Sequence, residues 1–243
     1  MNVVKNWYII PFAYYNFIKN RHYVLNLKNG FKIKMRKNTT DLQAFVNVWI
    51  LEEYKKEKFE INNNDTIIDV GGHIGLFTLY VSQFCKRGMI YAFEPMKNNF
   101  DLFKENIKMN NLKNVIVTNC AVTGKEEKIK IYENQLDDAA HSIHGKGPNF
   151  SEVNAITVAN IMNNQNFSKC NLLKLDCEGA EYEIFRSMEK KDFSKIEKIC
   201  LEYHLIDSDT NMLKELKTIL SDMKYEITEK PDKNGMGILF ADK

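Results

Sequence analysis

Two short stretches at the ends of apolar runs carry the side chains best suited to chemistry. The stretch LLKLDCEG contains Asp176, and the stretch CLEYH contains Glu202 and His204. Carboxylates and an imidazole are the groups that most often exchange protons with a substrate, and an unperturbed imidazole titrates near pH ~6.5. We therefore take His204 as the first candidate for a catalytic base and Asp176 as the second, with Glu202 beside them.

Residues next to these extend the set of candidates. Glu178 and Glu181 have two interpretations, because a carboxylate at the start of a helix either contacts a ligand or stabilises the first turn. A divalent cation held by Asp176, Glu202 and His204 is an alternative, but we predict a site without a metal. The candidates for contact with a substrate are Glu178, Tyr203, His141 and Ser142.

A glycine-rich turn lies earlier in the chain, in IIDVGGHIGLFTLYV. An apolar run ends at Asp69, and after the glycines the apolar residues recur at helical spacing, which predicts a strand, a tight turn and a helix. Gly71, Gly72 and Gly75 let a ligand approach the backbone, and the helix N-terminus attracts anionic groups. The G-G-x-x-G pattern does not by itself distinguish a binding turn from a plain tight turn.

The next strand lies in the stretch MIYAFEP and narrows the class of ligand that the turn is predicted to bind. It ends in Glu94, 25 positions after Asp69 (94 − 69). An acidic residue about 20 positions beyond a glycine turn accepts hydrogen bonds from the hydroxyls of a ribose; a solvated carboxylate at a strand end is the alternative. Together the two acids and the glycines indicate an adenosine-type ligand.

These side chains meet only if the fold brings several strand ends to one edge. From Thr66 onward strand-like and helix-like periods alternate, which predicts an α/β fold with a doubly wound, mostly parallel sheet. The carboxyl ends of such strands border the ligand crevice. The segments YEITEK and MGILFAD, joined by PDKNG, predict a C-terminal antiparallel hairpin.

Residues 1–58 are predicted to flank this domain, which spans residues 59–243. The flank should contain a helix, a hairpin over 23–35 with a type I′ turn at Asn29-Gly30, and a helix capped by Thr40 or Asp41 that runs to about Tyr54. Beyond the third strand we expect a short extra strand at Lys128 to Tyr132 and then a polar surface loop.

Composition excludes several classes of protein. The 243 residues balance 34 basic against 32 acidic side chains without a long basic stripe, so we predict no nucleic-acid partner. Five cysteines without a C-x-x-C pair indicate neither a disulfide framework nor a zinc site, and a cytoplasmic location is expected. The aromatic residues 1–20 are too short to span a bilayer; they pack on the domain or a second subunit, or contact a membrane surface.

Four blocks of the sequence carry a resemblance to a known family. DVGGHIG, AFEPMKNNFDLFKENIKMNN, LLKLDCEGAEYEIF and LEYH resemble, in order and spacing, the FkbM-type family of S-adenosylmethionine-dependent methyltransferases. The resemblance covers roughly residues 40–203 and is most specific at LDCEGAEYEIF. It implies a Rossmann-like class I methyltransferase fold, with seven strands of which the last is antiparallel, and methylation of a hydroxyl, often on a sugar.

The resemblance also implies roles for the turn and the strand ends. Asp69 and the backbone of Gly71 and Gly75 would hold the methionine end of S-adenosylmethionine, while Glu94 would hold the ribose. Asp176 would orient the acceptor or the amino group of the cofactor, if it is not the base. The complete set expected at the cofactor is Asp69, Gly71, Gly72, His73, Gly75, Glu94, Asn119, Cys120, Ala121 and Asp176, with residues 119–121 beside the adenine.

The sequence departs from the family pattern at Gly72 and His73, where Ala and Asn are more usual. The orientation of the cofactor at the turn is therefore open. His73 either bonds to the cofactor or faces solvent.

Other functions share parts of this pattern. A nicotinamide-dependent oxidoreductase would need the pyrophosphate-binding G-x-G-x-x-G, which position 73 breaks. A nucleic-acid amino-methyltransferase usually carries an Asn-Pro-Pro-Tyr-like block where this chain has DCEG. A non-catalytic binding subunit is the remaining alternative. We predict an O-methyltransferase that acts on a hydroxyl of a nucleotide-linked sugar or surface glycan precursor; the acceptor and the oligomeric state are left open.

Overall fold

The computed structural model describes most of the chain, in eight segments. They are residues 3–15, 17–57, 59–132, 149–165, 167–177, 179–203, 210–231 and 237–243. Four of the predicted site residues lie outside the described residues, namely His141, Ser142, Glu178 and His204.

A seven-stranded sheet forms the centre of the molecule. Its members are β3 (Thr66–Val70), β4 (Met89–Phe93), β5 (Val115–Thr118), β9 (Cys170–Leu175), β10 (Ile196–Tyr203), β11 (Glu226–Pro231) and β12 (Gly237–Asp242). They lie in the order β11-β12-β10-β9-β3-β4-β5, and β12 runs antiparallel to both of its neighbours. The predicted doubly wound sheet with its C-terminal hairpin is confirmed, and the winding reverses between β3 and β9, where ligands bind in such sheets.

Helices cover both faces of this sheet. They are α3 (Leu76–Ser82), α4 (Lys97–Met109), α5 (Val158–Asn164), α6 (Glu181–Ser187), α7 (Lys190–Lys195) and α8 (Thr210–Asp222). The central strands are apolar on both faces, as covered parallel strands are; Ile67 and Ile68, adjacent on β3, are both fully buried.

A second, three-stranded sheet borders the third strand of the main sheet. β6 (Ala121–Val122), β8 (Phe150–Ile156) and β7 (Lys128–Tyr132) lie in that order, so the predicted extra strand is present. The polar interval was expected to be a loop throughout, but residues 150–152 belong to β8 and pair with residues 130–132. Residues 133–148 lie outside the described residues.

The N-terminal flank contains the predicted elements with different ends. They are α1 (Ile9–Tyr14), β1 (His22–Asn26), β2 (Lys32–Arg36) and α2 (Asp41–Phe45), which continues as a π-helical turn over 46–50. The helix therefore ends before Tyr54, and Thr40 makes no side-chain cap. The turn is not type I′, because Gly30 has positive φ and Asn29 does not; instead Gly30 N–H donates to the carbonyl of Leu27 at 3.1 Å.

Two asparagines on α4 attach the flank to the sheet domain. The Asn106 side chain accepts from the amide of Lys34 at 2.7 Å and donates to its carbonyl at 3.1 Å. Asn110 does the same with Lys32, at 2.8 and 2.7 Å. Since each carboxamide satisfies the donor and the acceptor of one strand residue, the free edge of β2 is fixed to α4.

Candidate active site

A cavity of about 350 Å³ opens at the carboxyl ends of the strands. Its volume falls within the range of small-molecule sites, roughly 300–1,000 Å³. The flank, the glycine turn, the end of β4, the second sheet and the ends of β9 and β10 all contribute walls. The lining includes Thr40, Glu53, Tyr54, Gly71, Gly72, His73, Glu94, Ala121, Lys174, Asp176 and Glu202.

The glycine turn has its shape because two parts of the chain, the end of β9 and α4, approach it closely. Gly71 has φ +74°, and a Cβ there would lie 1.7 Å from the carbonyl oxygen of Asp176. A Cβ at Gly72 or Gly75 would lie 2.5 or 2.3 Å from the ring of Phe103 on α4. Side chains are thus excluded from the turn by β9 and α4, which leaves its backbone bare toward the cavity.

Glu94 closes the turn from the opposite side. Its carboxylate accepts hydrogen bonds from the amides of His73, at 2.8 Å, and Met96, at 2.9 Å. Burial raises the pKa of Glu94, and these bonds together with His73 oppose the rise. The side chain is 4% exposed and lines the cavity, so a remaining lone pair can accept from a ligand hydroxyl.

Lys174 is a site residue that the sequence reasoning missed. Its ammonium group donates to the carbonyl of Gly71 at 2.9 Å and lies 3.3 Å from Asp69 Oδ1 and 3.5 Å from Asp176 Oδ2. Burial opposes the charge, but the two carboxylates outweigh it and hold the pKa of Lys174 above its usual range. A lysine within the apolar run LLKL was the available signal, because a buried charge needs a partner.

Asp69 lies behind the turn and does not line the cavity. Its Oδ2 accepts from the hydroxyl of Thr78 at 2.7 Å, and its Oδ1 is within ion-pair distance of Lys174 but accepts no hydrogen bond from the described residues. The side chain is fully buried. Asp69 therefore positions the turn through Lys174.

One end of the cavity, here called the acidic end, is lined by more carboxyl groups than the sequence predicted. Asp176 and Glu202 line it, and Glu53 joins them from the flank. Burial, followed by the charges of Glu202 and Asp176, raises the pKa of Glu53 to about 8. The hydroxyl of Tyr54, also from the flank, donates to Glu202 Oε2 at 3.5 Å.

His73 links the turn to the flank. Its ring Nε2 lies 3.0 Å from Arg36 Nη2 and 3.3 Å from Asp41 Oδ1, and Arg36 donates to both oxygens of Asp41. Burial would raise the pKa of Asp41, but its bonds to His73 and Arg36 hold it well below the usual range. The His73 ring does not face solvent as one interpretation had it, because it contacts Arg36 and Asp41 of the flank. Its contact with the cofactor stays a prediction.

The comparison with family models decides the class of protein. The model described as the methyltransferase FkbM domain matches residues 69–227, about two thirds of the chain. The chain belongs to the FkbM methyltransferase family. S-adenosylmethionine is accordingly its methyl donor.

Relatives and solved structures agree with this family. Methyltransferase 1 of Beauveria bassiana is 25% identical over 188 residues, 68% of this chain and 74% of the relative. Methyltransferase sdnD of Sordaria araneosa is 23% identical over 199 residues, 68% and 75% of the two chains. The crystal structure of an FkbM methyltransferase from Methylobacillus flagellatus is 15% identical with a TM-score of 0.56, which shows the fold alone; it covers 81% of this chain and 47% of that one.

The residues of this FkbM methyltransferase fit its cofactor. A bare backbone turn, a buried carboxylate on the second strand and an acidic far end suit a ligand that carries a ribose and a positive sulfonium. In addition, Thr40 Oγ1 lines the cavity and has no hydrogen-bond partner among the described residues. A ligand donor or acceptor at that point would satisfy it.

Several predicted site residues lie away from the cavity lining. Cys120 is buried, and Asn119 donates to the carbonyls of Glu94 and Pro95 at 2.8 Å, which supports the loop after β4. Of the segment expected beside adenine, Ala121 lines the cavity. Gly75 forms the start of α3, where its φ is +91°.

Tyr203 and Glu181 have structural positions. Tyr203 is 3% exposed and its hydroxyl fills the space beside Gly237, 2.5 Å from where a Cβ would lie. Tyr203 does not line the cavity, and its contact with a substrate stays a prediction. Glu181 accepts from the amides of Cys177 and Gly179 at 3.0 and 2.8 Å, which is the stabilising interpretation of this carboxylate.

Proposed function

We propose that this FkbM methyltransferase is an O-methyltransferase that methylates a hydroxyl of a sugar, in a nucleotide-linked sugar or surface glycan precursor in the cytoplasm. The observation that carries the proposal is the acidic end of the cavity, where Glu53, Asp176 and Glu202 line the space that also reaches the glycine turn. A hydroxyl is a weak acid, so its methylation needs a nearby base. Carboxylates next to bound donor and acceptor supply one.

The cofactor would lie along the turn with its ribose at Glu94. In this arrangement the backbone of Gly71 and Gly72 receives the methionine end, and Ala121 contacts the adenine. Lys174 does not touch the cofactor in this proposal; it holds Asp176 and the carbonyl of Gly71 in place. When bound, S-adenosylmethionine supplies an electrophilic methyl group on a positively charged sulfur.

Glu53 adds a base candidate to those that the sequence named. A catalytic base works best when its pKa is close to the working pH, and that of Glu53 is about 8. Asp176 and Glu202 then orient the acceptor by accepting hydrogen bonds from its other hydroxyls. His204 stays the first candidate from the sequence and lies outside the described residues.

The charge at this end of the cavity also bears on the acceptor. Asp176 and Glu202 repel a phosphate placed between them, and Glu53, whose pKa is about 8, adds to this repulsion once it is ionised. A neutral polyol is therefore favoured next to the transferred methyl. The diphosphate of a sugar nucleotide would have to lie elsewhere. We keep a homo-oligomer and the absence of a nucleic-acid partner as further predictions.

A transfer assay tests the function. The protein is incubated with methyl-labelled S-adenosylmethionine and a panel of sugar nucleotides, neutral glycosides and an RNA, and products are analysed by mass. We expect a gain of one methyl group on a sugar oxygen. Label on a nitrogen or a carbon, or on the RNA alone, would refute the proposal. Loss of the methyl group from S-adenosylmethionine with no methylated sugar among the products would also count against it.

Variants of the base candidates separate catalysis from folding. His204→Ala is expected to retain the melting temperature and cofactor affinity, while turnover falls ~10²- to 10⁴-fold and the acid limb of the pH profile disappears. Glu53→Gln and Glu202→Gln are assayed beside it. If His204→Ala turns over at the wild-type rate, the role passes to whichever carboxyl variant is slow; if it merely unfolds, the histidine is structural.

Chelation tests the prediction of a metal-free site. No cluster of three or more metal-ligating side chains occurs within the part of the chain that the structure describes. Activity is expected to survive exhaustive treatment with a chelator. A loss that magnesium or manganese reverses would contradict this.

A further inference from the structure

The first forty residues have a charge composition unlike the rest of the chain. They contain eight basic side chains and no acidic one. The other residues hold 26 basic (34 − 8) and 32 acidic side chains, a net charge of −6. The small overall charge therefore hides a positive N-terminal region on a negative remainder.

Aromatic side chains are concentrated in the same region and exposed. Six of the eleven exposed large apolar side chains among the described residues occur between positions 7 and 17. Tyr14 and Phe17 are each 72% exposed, and Tyr15 is 67% exposed. The complete set is Trp7, Tyr8, Phe12, Tyr14, Tyr15 and Phe17. Exposed apolar side chains concentrated in this way, here called the patch, mark an interaction surface.

The chain that carries the patch is held against the hairpin of β1 and β2 by hydrogen bonds and buried side chains. The Asn6 side chain donates to the carbonyl of Val24 at 2.9 Å and accepts from the amide of Asn26 at 2.7 Å. Val4 and Ala13 are buried, and Lys37 donates to the carbonyl of Ile18. The backbone that carries the aromatic rings is thus already ordered. Binding through these rings therefore does not have to pay the entropy of ordering that backbone.

We propose that residues 3–15 and 17–28, here called the N-terminal segment, bind the surface of a membrane that contains anionic lipids. Tryptophan and tyrosine favour the headgroup region of a bilayer. The exposed cations Lys5, Lys19, Arg21 and Lys28 flank the aromatic run and attract anionic headgroups. The contact is peripheral, and no described helix has the length and apolar character needed to cross a bilayer.

Charge favours a lipid surface over a second copy of the chain. In a twofold dimer the same surface faces itself, so the N-terminal segment would bring its own cations against each other without any acidic residue between positions 1 and 40. An anionic membrane neutralises them instead. This proposal does not depend on the acceptor or on catalysis.

Binding is measured by co-sedimentation of the full chain with vesicles of phosphatidylcholine alone and with vesicles in which about one lipid in three is phosphatidylserine. We expect at least tenfold stronger partition into the anionic vesicles, lowered by salt. Trp7 is 47% exposed and Trp49 only 4%, and these are the two tryptophans of the chain. A blue shift of the emission on adding vesicles therefore reports burial of Trp7, and Trp7→Phe should abolish it.

Two matched sets of variants test the surface. Replacing Lys5, Lys19, Arg21 and Lys28 by Gln should lower partition into anionic vesicles more than tenfold. Equal removal of charge at exposed positions elsewhere should have a much smaller effect, and the control replaces Lys125, Lys128, Lys190 and Lys214 by Gln. A third variant with Tyr14→Ser, Tyr15→Ser and Phe17→Ser should lose the remaining affinity while keeping its melting temperature, since these rings are exposed.

Three results would overturn the proposal. The first is an absence of binding to either kind of vesicle. The second is an equal loss of vesicle binding in the N-terminal and control charge variants. The third is a dimer, seen in sedimentation analysis, that dissociates only in the aromatic variant. The last would assign the patch to a second copy of the chain. A charge variant that fails to fold is replaced by the double variant Lys19→Gln and Arg21→Gln, which should again lose more binding than a control that removes two charges elsewhere.

Discussion

At the scale of single residues, Lys174 determines how the acids of the site are arranged. It is the positive group between Asp69, which is fully buried, and Asp176, which faces the cavity. Because a buried charge is stable only with its partners, the lysine and the two acids form one unit. The unit joins β3 to β9 at the point where the winding of the sheet reverses.

Replacing Lys174 by Met tests this unit. The change leaves Asp69 buried without a counter-charge, so the free energy of unfolding should fall by roughly 3–5 kcal/mol. Adding Asp69→Asn should recover part of the loss. Lys34→Met is the control, because the Lys34–Glu105 pair is exposed and such pairs contribute roughly 0–1 kcal/mol. Equal losses in chemical denaturation for the two lysines would contradict the assignment.

The raised pKa of Glu53 predicts that the stability of the protein depends on pH in an unusual way. Its pKa is raised from 4.5 to about 8 by burial and by Glu202 and Asp176. Between these values the folded state retains a proton that the unfolded state releases, so the contribution of Glu53 to stability falls as pH rises and is lowest above pH 8.

Glu53→Gln should therefore stabilise the protein at pH 8 and have little effect near pH 4.5. The gain should be about 1–3 kcal/mol, less than the full shift implies because the site is partly solvated. The neighbouring Glu52 is the control, because bonds from Lys55 and Tyr80 lower its pKa, and Glu52→Gln should give no gain at pH 8. Parallel pH profiles of the wild type and Glu53→Gln would refute the shift.

At the scale of elements, the glycine turn is fixed by what approaches it. The end of β9 and the ring of Phe103 occupy the places where side chains would project. The shape of the turn is therefore a consequence of close packing between β3, β9 and α4. Its backbone is available to a ligand because no side chain fits there.

The pair Gly71→Ala and Gly30→Ala separates backbone strain from close approach. Both residues have positive φ, so each change costs about 1 kcal/mol in conformation. A Cβ at Gly30 meets nothing within 4 Å, whereas at Gly71 it meets a backbone carbonyl at 1.7 Å. Gly71→Ala should therefore lose several-fold more stability, and also its cofactor affinity by calorimetry. A Gly71→Ala variant no worse than Gly30→Ala would contradict the packing shown by the structure.

At the scale of the whole molecule, the flank and the sheet build one cavity. Residues of the flank supply the Arg36–Asp41 pair beside His73 and the carboxyl of Glu53, although the family match begins only at residue 69. A ligand that fills the cavity would contact both parts. Binding should consequently stabilise the entire chain.

S-adenosylhomocysteine should raise the melting temperature, and NAD should not. At a ligand concentration of about 100 times Kd the gain in unfolding free energy is roughly 2.7 kcal/mol. Glu94→Gln should weaken binding about 10- to 100-fold, because it removes a charged acceptor from the ribose. The exposed Glu126→Gln is the control. Unchanged affinity of Glu94→Gln in calorimetry would remove the ribose assignment.

The sequence by itself determined the fold class, the glycine turn, Glu94 and Asp176 at strand ends, and the family. These features are local, because period, glycine content and position after an apolar run are set within a few residues. The predicted type I′ turn at Asn29-Gly30 was wrong, because the hydrogen-bonding register of the two flanking strands decides the type of turn.

Only the tertiary structure decided which charges meet. Glu53 reaches Asp176 and Glu202 across more than a hundred positions of chain, Lys174 pairs with Asp69, and Tyr203 turns into the core. Burial and neighbouring charge set the pKa of such groups, and both depend on elements that are distant in sequence. The sequence therefore predicted the candidates next to the strand ends, whereas Lys174, Glu53 and the partners and protonation of all these groups were fixed by packing.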